Sequence, residues 1–305
     1  LPMSVPHSLY PEAGVVTLDE ASCTQCGQCA KYCSTATLVM REGRLCVDTN
    51  ATFGCIACGH CMMVCPEGSV KVTGRGLRLE DIVPLPAPES KATPESLEAL
   101  MLARRSIRHF QDRPVEPELI ERIISMASTA PMGIPPWDVG IVAVNGADKV
   151  RELAGEVVKG YQGMLKIFKP WVISLMRPVL GKSTCEQFRD FVLPLAHSYT
   201  GQWKAGRDVV FYGAPALLIF HHSPFAGETD ATIACTYAML AAESLGLGNV
   251  MIGGAPPIIQ RNKALCKRLG IPDGSKPSII LILGHPAVHF RRAVRRSFNA
   301  VNRIG

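Results

Sequence analysis

The 305-residue chain carries few of the features that mark exported, membrane-spanning or nucleic-acid-binding proteins. Its start, Leu1-Pro2-Met3-Ser4-Val5-Pro6, has neither the charged nor the apolar region of a signal peptide, and reads as a processed end or a cloning remnant. The longest uncharged run, residues 209–227, contains Gly213, Pro215, His221, His222 and Pro224, which suits a buried strand with its turns and not a membrane span. No basic run is interleaved with aromatics, so the net charge of +6 is not a nucleic-acid footprint. No Gly-x-Gly-x-x-Gly follows a strand pattern, which argues against a Rossmann nicotinamide domain, and Gly74-Arg75-Gly76 is more simply a turn. The histidines carry no metal-ligand spacing; the pair His221-His222 ends a strand and reads as packed or solvent-facing. No residue stands out as a general acid.

What the chain does have is cysteine. Eight of its twelve cysteines form two copies of one spacing, thirty-two residues apart: Cys23-x-x-Cys26-x-x-Cys29-x-x-x-Cys33 and Cys55-x-x-Cys58-x-x-Cys61-x-x-x-Cys65-Pro66. Steps of three, three and four surround a compact cluster with thiolates and leave backbone amides free to bond its sulfides. This is the bacterial iron–sulfur run, in which the fourth cysteine of each copy ligates the other cluster. The expected ligand sets are therefore crossed: Cys23, Cys26, Cys29 and Cys65 on one [4Fe–4S] cluster, and Cys55, Cys58, Cys61 and Cys33 on the other. Zinc is the weaker reading, because its sites pair two short cysteine hairpins. Disulfides are weaker still in a long apolar chain without a secretory signal. Unpaired cysteines and labile clusters point to a reducing cytoplasm. The first copy has Ser34 where the second has Pro66, a change that alters the turn, and hence the potential, at the cluster held by Cys33 without removing a ligand. Cys46 falls in the alternating pattern of residues 44–48 and reads as a buried, inert thiol, and Cys185, Cys235 and Cys266 read as core residues.

Charge divides the chain. Residues 1–90 carry six basic and nine acidic side chains, a net of −3, whereas residues 91–305 carry twenty-six and seventeen, a net of +9. An acidic head of residues 1–83 is followed by a proline-rich linker at 84–92, expected to be extended and semi-rigid, and by a body at 93–305. Strands are expected at 15–18 and 69–73 in the head, and at 139–144, 216–220, 249–252 and 278–283 in the body. Helices are expected from Thr93-Pro94, over 117–128, over 231–245 with Asp230 as its cap and Gly246 as its stop, and over 257–269. The fold class is α+β with a covered sheet. Residues 155–207 interrupt this order as a helical insert that packs on its own domain or on a partner subunit; its mixture of large apolar groups and lysines also admits a membrane-surface helix.

Arg104-Arg105-Ser106-Ile107-Arg108-His109-Phe110, with Pro114-Val115 and Ala130-Pro131 downstream, resembles the opening of the nitroreductase-like flavoproteins. Asp230-Ala231-Thr232-Ile233-Ala234, Leu245-Gly246-Leu247-Gly248, Met251-Ile252-Gly253-Gly254 and Leu283-Gly284-His285-Pro286 follow in the family's order, with Arg292 and Arg296 behind. With the cysteine run in front, the whole looks like a ferredoxin–nitroreductase fusion: a small two-cluster ferredoxin-like domain before a three-layer α/β/α FMN domain. Arginine forks and a serine hydroxyl suit a phosphate monoester, and the resemblance gives Arg104, Arg105, Ser106, Arg108, Arg292 and Arg296 to the FMN phosphate side. It also places Pro131, Met132 and Gly133 at the border of the isoalloxazine ring and the amides of Gly253 and Gly254 at its N5 edge. In place of the family's Ser-Gly-x-Asn-x-Gln-Pro-Trp, this chain has Met132-Gly133-Ile134-Pro135-Pro136-Trp137, so one polar contact is missing or supplied elsewhere. The resemblance implies a homodimeric FMN reductase of a small organic substrate (nitro compound, activated alkene, quinone or halogenated compound), supplied by an external redox protein through its clusters. The alternative is a non-catalytic electron relay or redox sensor.

Overall fold

The thirty-two-residue spacing of the cysteine runs recurs in the backbone. A computed structural model describes residues 8–10, 12–133 and 137–305; the readings made for residues 1–6 and for Ile134, Pro135 and Pro136 fall outside them. Within it, left-handed residues come in pairs thirty-two apart: Gln25 and Ala57, Gly27 and Gly59, Ala36 and Gly68, Glu42 and Gly74, Gly43 and Arg75. Gly27 and Gly59 each precede a short helix, where the positive φ that glycine tolerates turns the cysteine loop into the helix.

These repeats build the first of two compact units, which comprises Leu1–Lys91, Pro131–Gly140 and His222–Asp230. Its elements run β1 (Val15–Leu18), α1 (Gln28–Lys31), β2 (Leu38–Arg41), β3 (Arg44–Val47), α2 (His60–Val64) and β4 (Val70–Thr73). β1 pairs antiparallel with β4, Val15 opposite Thr73, and β2 with β3, Leu38 opposite Val47. Leu38, Leu45, Met62, Val70, Val72 and Leu77 form a small apolar core against which Cys23, Cys33, Cys55, Cys61 and Cys65 pack, with Cys29 inside it. Cys46 lies on β3 as expected, but half-buried, with Leu45 taking the core position. The unit is wider than the expected head, since it takes in two segments from the later chain. The linker is not uniformly extended either: Pro88–Ser90 form one 3₁₀ turn.

The second unit comprises Ala92–Ala130, Ile141–His221 and Ala231–Gly305. It begins with α3 (Pro94–Ala103), capped by the Thr93 hydroxyl accepting from the Ser96 amide at 3.2 Å, and α4 (Pro117–Ala127). β5 (Val139–Asn145) leads into α5 (Ala147–Ile167), α6 (Pro170–Leu175), α7 (Arg177–Leu180), α8 (Lys182–Gln187) and α9 (Leu193–Lys204). Then come β6 (Ala216–His222), α10 (Glu228–Ser244), β7 (Gly248–Ile252), α11 (Pro256–Arg261), α12 (Lys263–Arg268) and β8 (Lys276–Gly284). The sheet order is β5-β6-β8-β7, with β7 and β8 antiparallel. Leu217 and Ile219 of β6, and Ile280 and Ile282 of β8, join the core formed with α5, α9 and α11. Their alternates Leu218, Phe220, Leu281 and Leu283 are also fully buried. Both faces of the sheet are covered, which is why these strands are continuously apolar.

Three expectations are corrected. The helix drawn over 257–269 is two, because the Asn262 backbone leaves helical geometry and its side chain accepts from the Leu265 amide at 3.0 Å to start α12. α10 begins at Glu228, so Asp230 lies in its first turn and is not its cap. The insert does not begin at 155: α5 starts at Ala147 and buries Val150, Leu153, Val157 and Tyr161 on one continuous face, packed against α9. Among the described residues no helix is long and apolar enough to cross a membrane.

Candidate functional site

The arginine-rich segment after α3 is held on the edge of β7. Ser106 bridges to Asn249, and the Ile107 amide donates to the Asn249 carbonyl at 3.0 Å. Gly248 permits this approach, since a Cβ there would lie 2.7 Å from the Ile107 side chain. Further on, the Gln111 amide donates to the His285 carbonyl and the Ala287 amide to the His109 carbonyl, tying the segment to the end of β8. Arg104, Arg105 and Ser106 are half-buried. Burial lowers the Arg104 pKa, and the nearby cations of Arg105 and Arg296 push the same way against the carboxylate of Glu243. Glu243 is raised by its own burial, in opposition to Arg104 and Arg105. The structure thus brings Arg105 and Arg296 close to Arg104, and sets Glu243 against Arg104 and Arg105. Arg292 is exposed, and Arg108, also exposed, stacks on the Tyr212 ring at 5.5 Å.

At the end of β7 the chain passes close under two tyrosines. The Tyr161 hydroxyl donates to the Gly254 carbonyl at 2.6 Å. A Cβ on Gly254 would lie 3.3 Å from the Tyr199 hydroxyl and 3.4 Å from that of Tyr161, whereas one on Gly253 would meet nothing within 4 Å. The rings stand edge to face, 5.3 Å apart. Burial pushes Tyr199 up to about 12, helped by Tyr161, Tyr212 and Asp208, and Tyr161 is raised by burial too. At neutral pH both are therefore donors and not bases. Both come from the stretch expected as an insert, so α5 and α9 supply polar groups to Gly254.

In the first unit the cysteines are all free thiols. One cavity is walled by Cys33, Cys55, Cys58 and Cys61, three cysteines of the second run and the last of the first. Burial pushes Cys61 up to about 12, with Cys55, Cys58 and Cys33 adding to it; Cys55 is raised by burial, then by Cys58 and Cys33. Cys29, raised by burial, has Cys65 and Cys23 as its thiol neighbours. For Cys65, burial is outweighed by the amides of Ser69, Val70 and Glu67, which hold it down. Amides also point at sulfur from Leu38 to Cys33 (3.4 Å), Ala57 to Cys55 (3.4 Å) and Ser69 to Cys65 (3.3 Å). Cys26 alone of the eight is exposed. No group of three or more His, Cys, Asp or Glu side chains among the described residues is gathered closely enough for a single metal ion; a four-iron cube takes its ligands at separated corners.

Pro131, Met132 and Gly133 also belong to this unit, where the Gly133 amide donates to Asp230 at 2.8 Å. The same carboxylate accepts from the Gly227 amide at 2.9 Å, which fixes the loop to the first turn of α10.

The model of the nitroreductase family matches residues 101–285. The chain belongs to the nitroreductase family. It is thereby an oxidoreductase, and the match takes in the arginine segment, both tyrosines and the glycine pair. The chain is 30% identical over 201 residues to an FMN reductase [NAD(P)H] of Bacillus subtilis, covering 65% of this chain and 69% of that one. It is 26% identical over 213 residues to iodotyrosine deiodinase 1 of Rattus norvegicus, covering 66% of each. A nitroreductase of Bacteroides fragilis, solved with bound FMN, superposes with a TM-score of 0.52 at 20% identity, over 70% of this chain and all of that one, a likeness of fold. Within the nitroreductase domain, sequence reasoning missed Tyr161, Tyr199 and Glu243. Tyr161 sits at core spacing on α5, where only its hydroxyl, which needs a partner when buried, sets it apart from a phenylalanine. Glu243 has no local signal, because its partners come from 104–105.

Proposed function

We propose that this nitroreductase-family enzyme is an FMN-dependent reductase that draws electrons from an external redox protein through two [4Fe–4S] clusters and reduces a small organic substrate. The observation that carries the reading is the cavity walled by Cys33, Cys55, Cys58 and Cys61 on the same chain as a nitroreductase domain. A structural zinc site pairs two short cysteine hairpins, two thiolates from each, whereas this cavity takes three cysteines at steps of three from one run and one from the other. The crossed neighbours of Cys29 support the second set, Cys23, Cys26, Cys29 and Cys65. Clusters supply single-electron storage, and FMN supplies a centre that takes electrons singly and returns them as hydride.

The chain's own residues supply binding and order. Arg104 and Arg296 offer guanidinium groups for a phosphate, with the Ser106 hydroxyl next in the chain; the Arg105 guanidinium donates to the Arg104 and Leu102 carbonyls and adds positive charge, and Glu243 offsets part of the charge of Arg104 and Arg105. Gly253 and Gly254 let a flat ring approach the backbone, and Pro131, Met132 and Gly133 are the expected border on the other segment. Tyr161 holds the Gly254 carbonyl in place. Tyr199 keeps its proton, and its hydroxyl has no protein partner among the described residues, so it is available as a hydrogen-bond donor to substrate. Exposed apolar side chains on α3 (Leu97, Met101, Leu102) and along the C-terminal segment (Phe290, Val294, Phe298) are what a second copy of the chain would cover in a homodimer. Labile clusters suit a reducing cytoplasm.

The test is anaerobic turnover. The purified protein is reduced by a ferredoxin-type donor and offered a nitroarene, an enone, a quinone and a haloarene in turn. Reoxidation of the flavin by at least one of them is expected. Reoxidation by none of them, with rapid discharge into a partner redox protein, would establish the relay instead.

A further inference from the structure

The two cysteine repeats share a backbone but not a charge. In the first, Glu42 and Gly43 close an exposed two-residue turn between β2 and β3. In the second, the corresponding positions are Gly74 and Arg75, and Arg75 is only 5% exposed. It holds a left-handed conformation, φ 52°, between two glycines that are also left-handed. A buried guanidinium in a strained turn is costly unless something nearby uses its charge.

Packing shows what surrounds it. The Gly14 amide donates to the Cys55 carbonyl at 2.7 Å, and a Cβ on Gly14 would lie 3.1 Å from the Cys55 sulfur. A Cβ on Gly74 would in turn lie 3.4 Å from the Gly14 Cα, and one on Gly76 would lie 3.5 Å from the Tyr10 hydroxyl. The turn is thus pressed onto Gly14, the residue before β1 that touches Cys55. The ionisable groups near Arg75 include the Cys55 thiol and Asp138. Asp138 is 2% exposed and held by the Ser8 hydroxyl at 2.8 Å, the Leu9 amide at 3.0 Å and the Ser223 hydroxyl at 2.5 Å. It stands five residues after Gly133, on the segment expected to border the flavin ring. The cations of the first repeat, Lys31, Arg41 and Arg44, are exposed, and Arg41 is already paired with Asp48 at 2.9 Å.

We propose that Arg75 raises the reduction potential of the cluster held by Cys33, Cys55, Cys58 and Cys61 above that of its twin, making it the cluster from which electrons leave toward the flavin. The inference rests on the iron–sulfur reading above. A fixed cation beside a cluster stabilises its reduced, more negative state, and low solvent exposure leaves that effect poorly screened. The twin set contains the exposed Cys26 and has no buried cation among the described residues; it is the entry side for an external donor.

The experiment is an anaerobic redox titration of the intact protein followed by EPR. Arg75→Met should lower one midpoint by at least tenfold in the reduction equilibrium, 59 mV for one electron, and leave the other in place. Arg75→Lys should keep most of the wild-type value. Asp138→Asn, which removes the opposing anion, should move the same midpoint upward. The Arg75→Met shift should persist in Cys26→Ala and vanish in Cys58→Ala. If Arg75→Met moves neither midpoint, moves both equally, or moves only the cluster that survives in Cys58→Ala, the assignment is wrong. Protein purified anaerobically without iron or sulfide would overturn the iron–sulfur reading itself, whereas clusters present but indifferent to Arg75 would overturn only this inference.

Discussion

Removing Arg104 and Arg296 together should strip the protein of FMN. Each charge-assisted hydrogen bond to a phosphate is worth about 1.5–3 kcal/mol, so one arginine accounts for about a tenfold to 150-fold change in Kd. The two guanidinium groups are close enough for Arg296 to depress Arg104, and a bound phosphate relieves that repulsion. The relief is lost once, whichever arginine is removed first. The double variant should therefore weaken binding by somewhat less than the product of the two single losses, yet enough to be purified without flavin. Glu243→Gln should act oppositely. It removes the acid that competes with phosphate for Arg104 and Arg105, and should tighten FMN binding several-fold. The assay is the flavin-to-protein ratio after desalting, followed by fluorescence titration of FMN into deflavinated protein at two salt concentrations. The arginine variants should also lose part of the salt dependence. A double variant that keeps stoichiometric flavin, or a Glu243→Gln variant that loses it, would refute the phosphate assignment.

Cys65→Ala should destroy the cluster of Cys23, Cys26 and Cys29 while sparing that of its own run; iron analysis and EPR of the residual signal decide, and loss of the local cluster would disprove the crossing. Gly160→Ala puts a Cβ 2.2 Å from the Ile258 side chain where α5 crosses α11, and overpacking of about 1–3 kcal/mol should exceed the helix-propensity gain of about 1 kcal/mol, lowering Tm in calorimetry. The Glu116 backbone amide, then Arg113 and His285, hold the Glu116 carboxyl down to about 2. A depressed folded-state pKa stabilises above the unfolded value and is lost as pH falls through the folded one. Wild type and Glu116→Gln should therefore differ in denaturant midpoint near neutrality and converge as pH drops from about 4.5 towards 2, a comparison in which acid damage to the clusters cancels; a gap that persists at low pH would contradict this.

The features legible in the sequence were those written within one turn or loop. The cysteine spacing carries its iron–sulfur expectation because the steps of each run lie within eleven successive residues, and Thr93 and Gly246 bound their helices because caps act over three or four residues. The same holds for the strands of the covered sheet, whose apolar runs report burial directly. The family was legible too, from motifs whose order survives at low identity. Other features were settled only by packing. Asn262 breaks a helix that periodicity draws as continuous, because its side chain prefers to cap the next one. Tyr161 and Tyr199 meet at Gly254 across long stretches of chain, and on α5 and α9 they are indistinguishable from core until a close backbone approach gives their hydroxyls something to face. Arg75 looked like a turn residue and is one; Gly14 and Asp138, which bring it toward Cys55 and act on its charge, come from different segments of this unit. Local pattern encodes which chemistry a segment can offer, whereas the charge and the neighbour that tune it are set by which distant segments share its core.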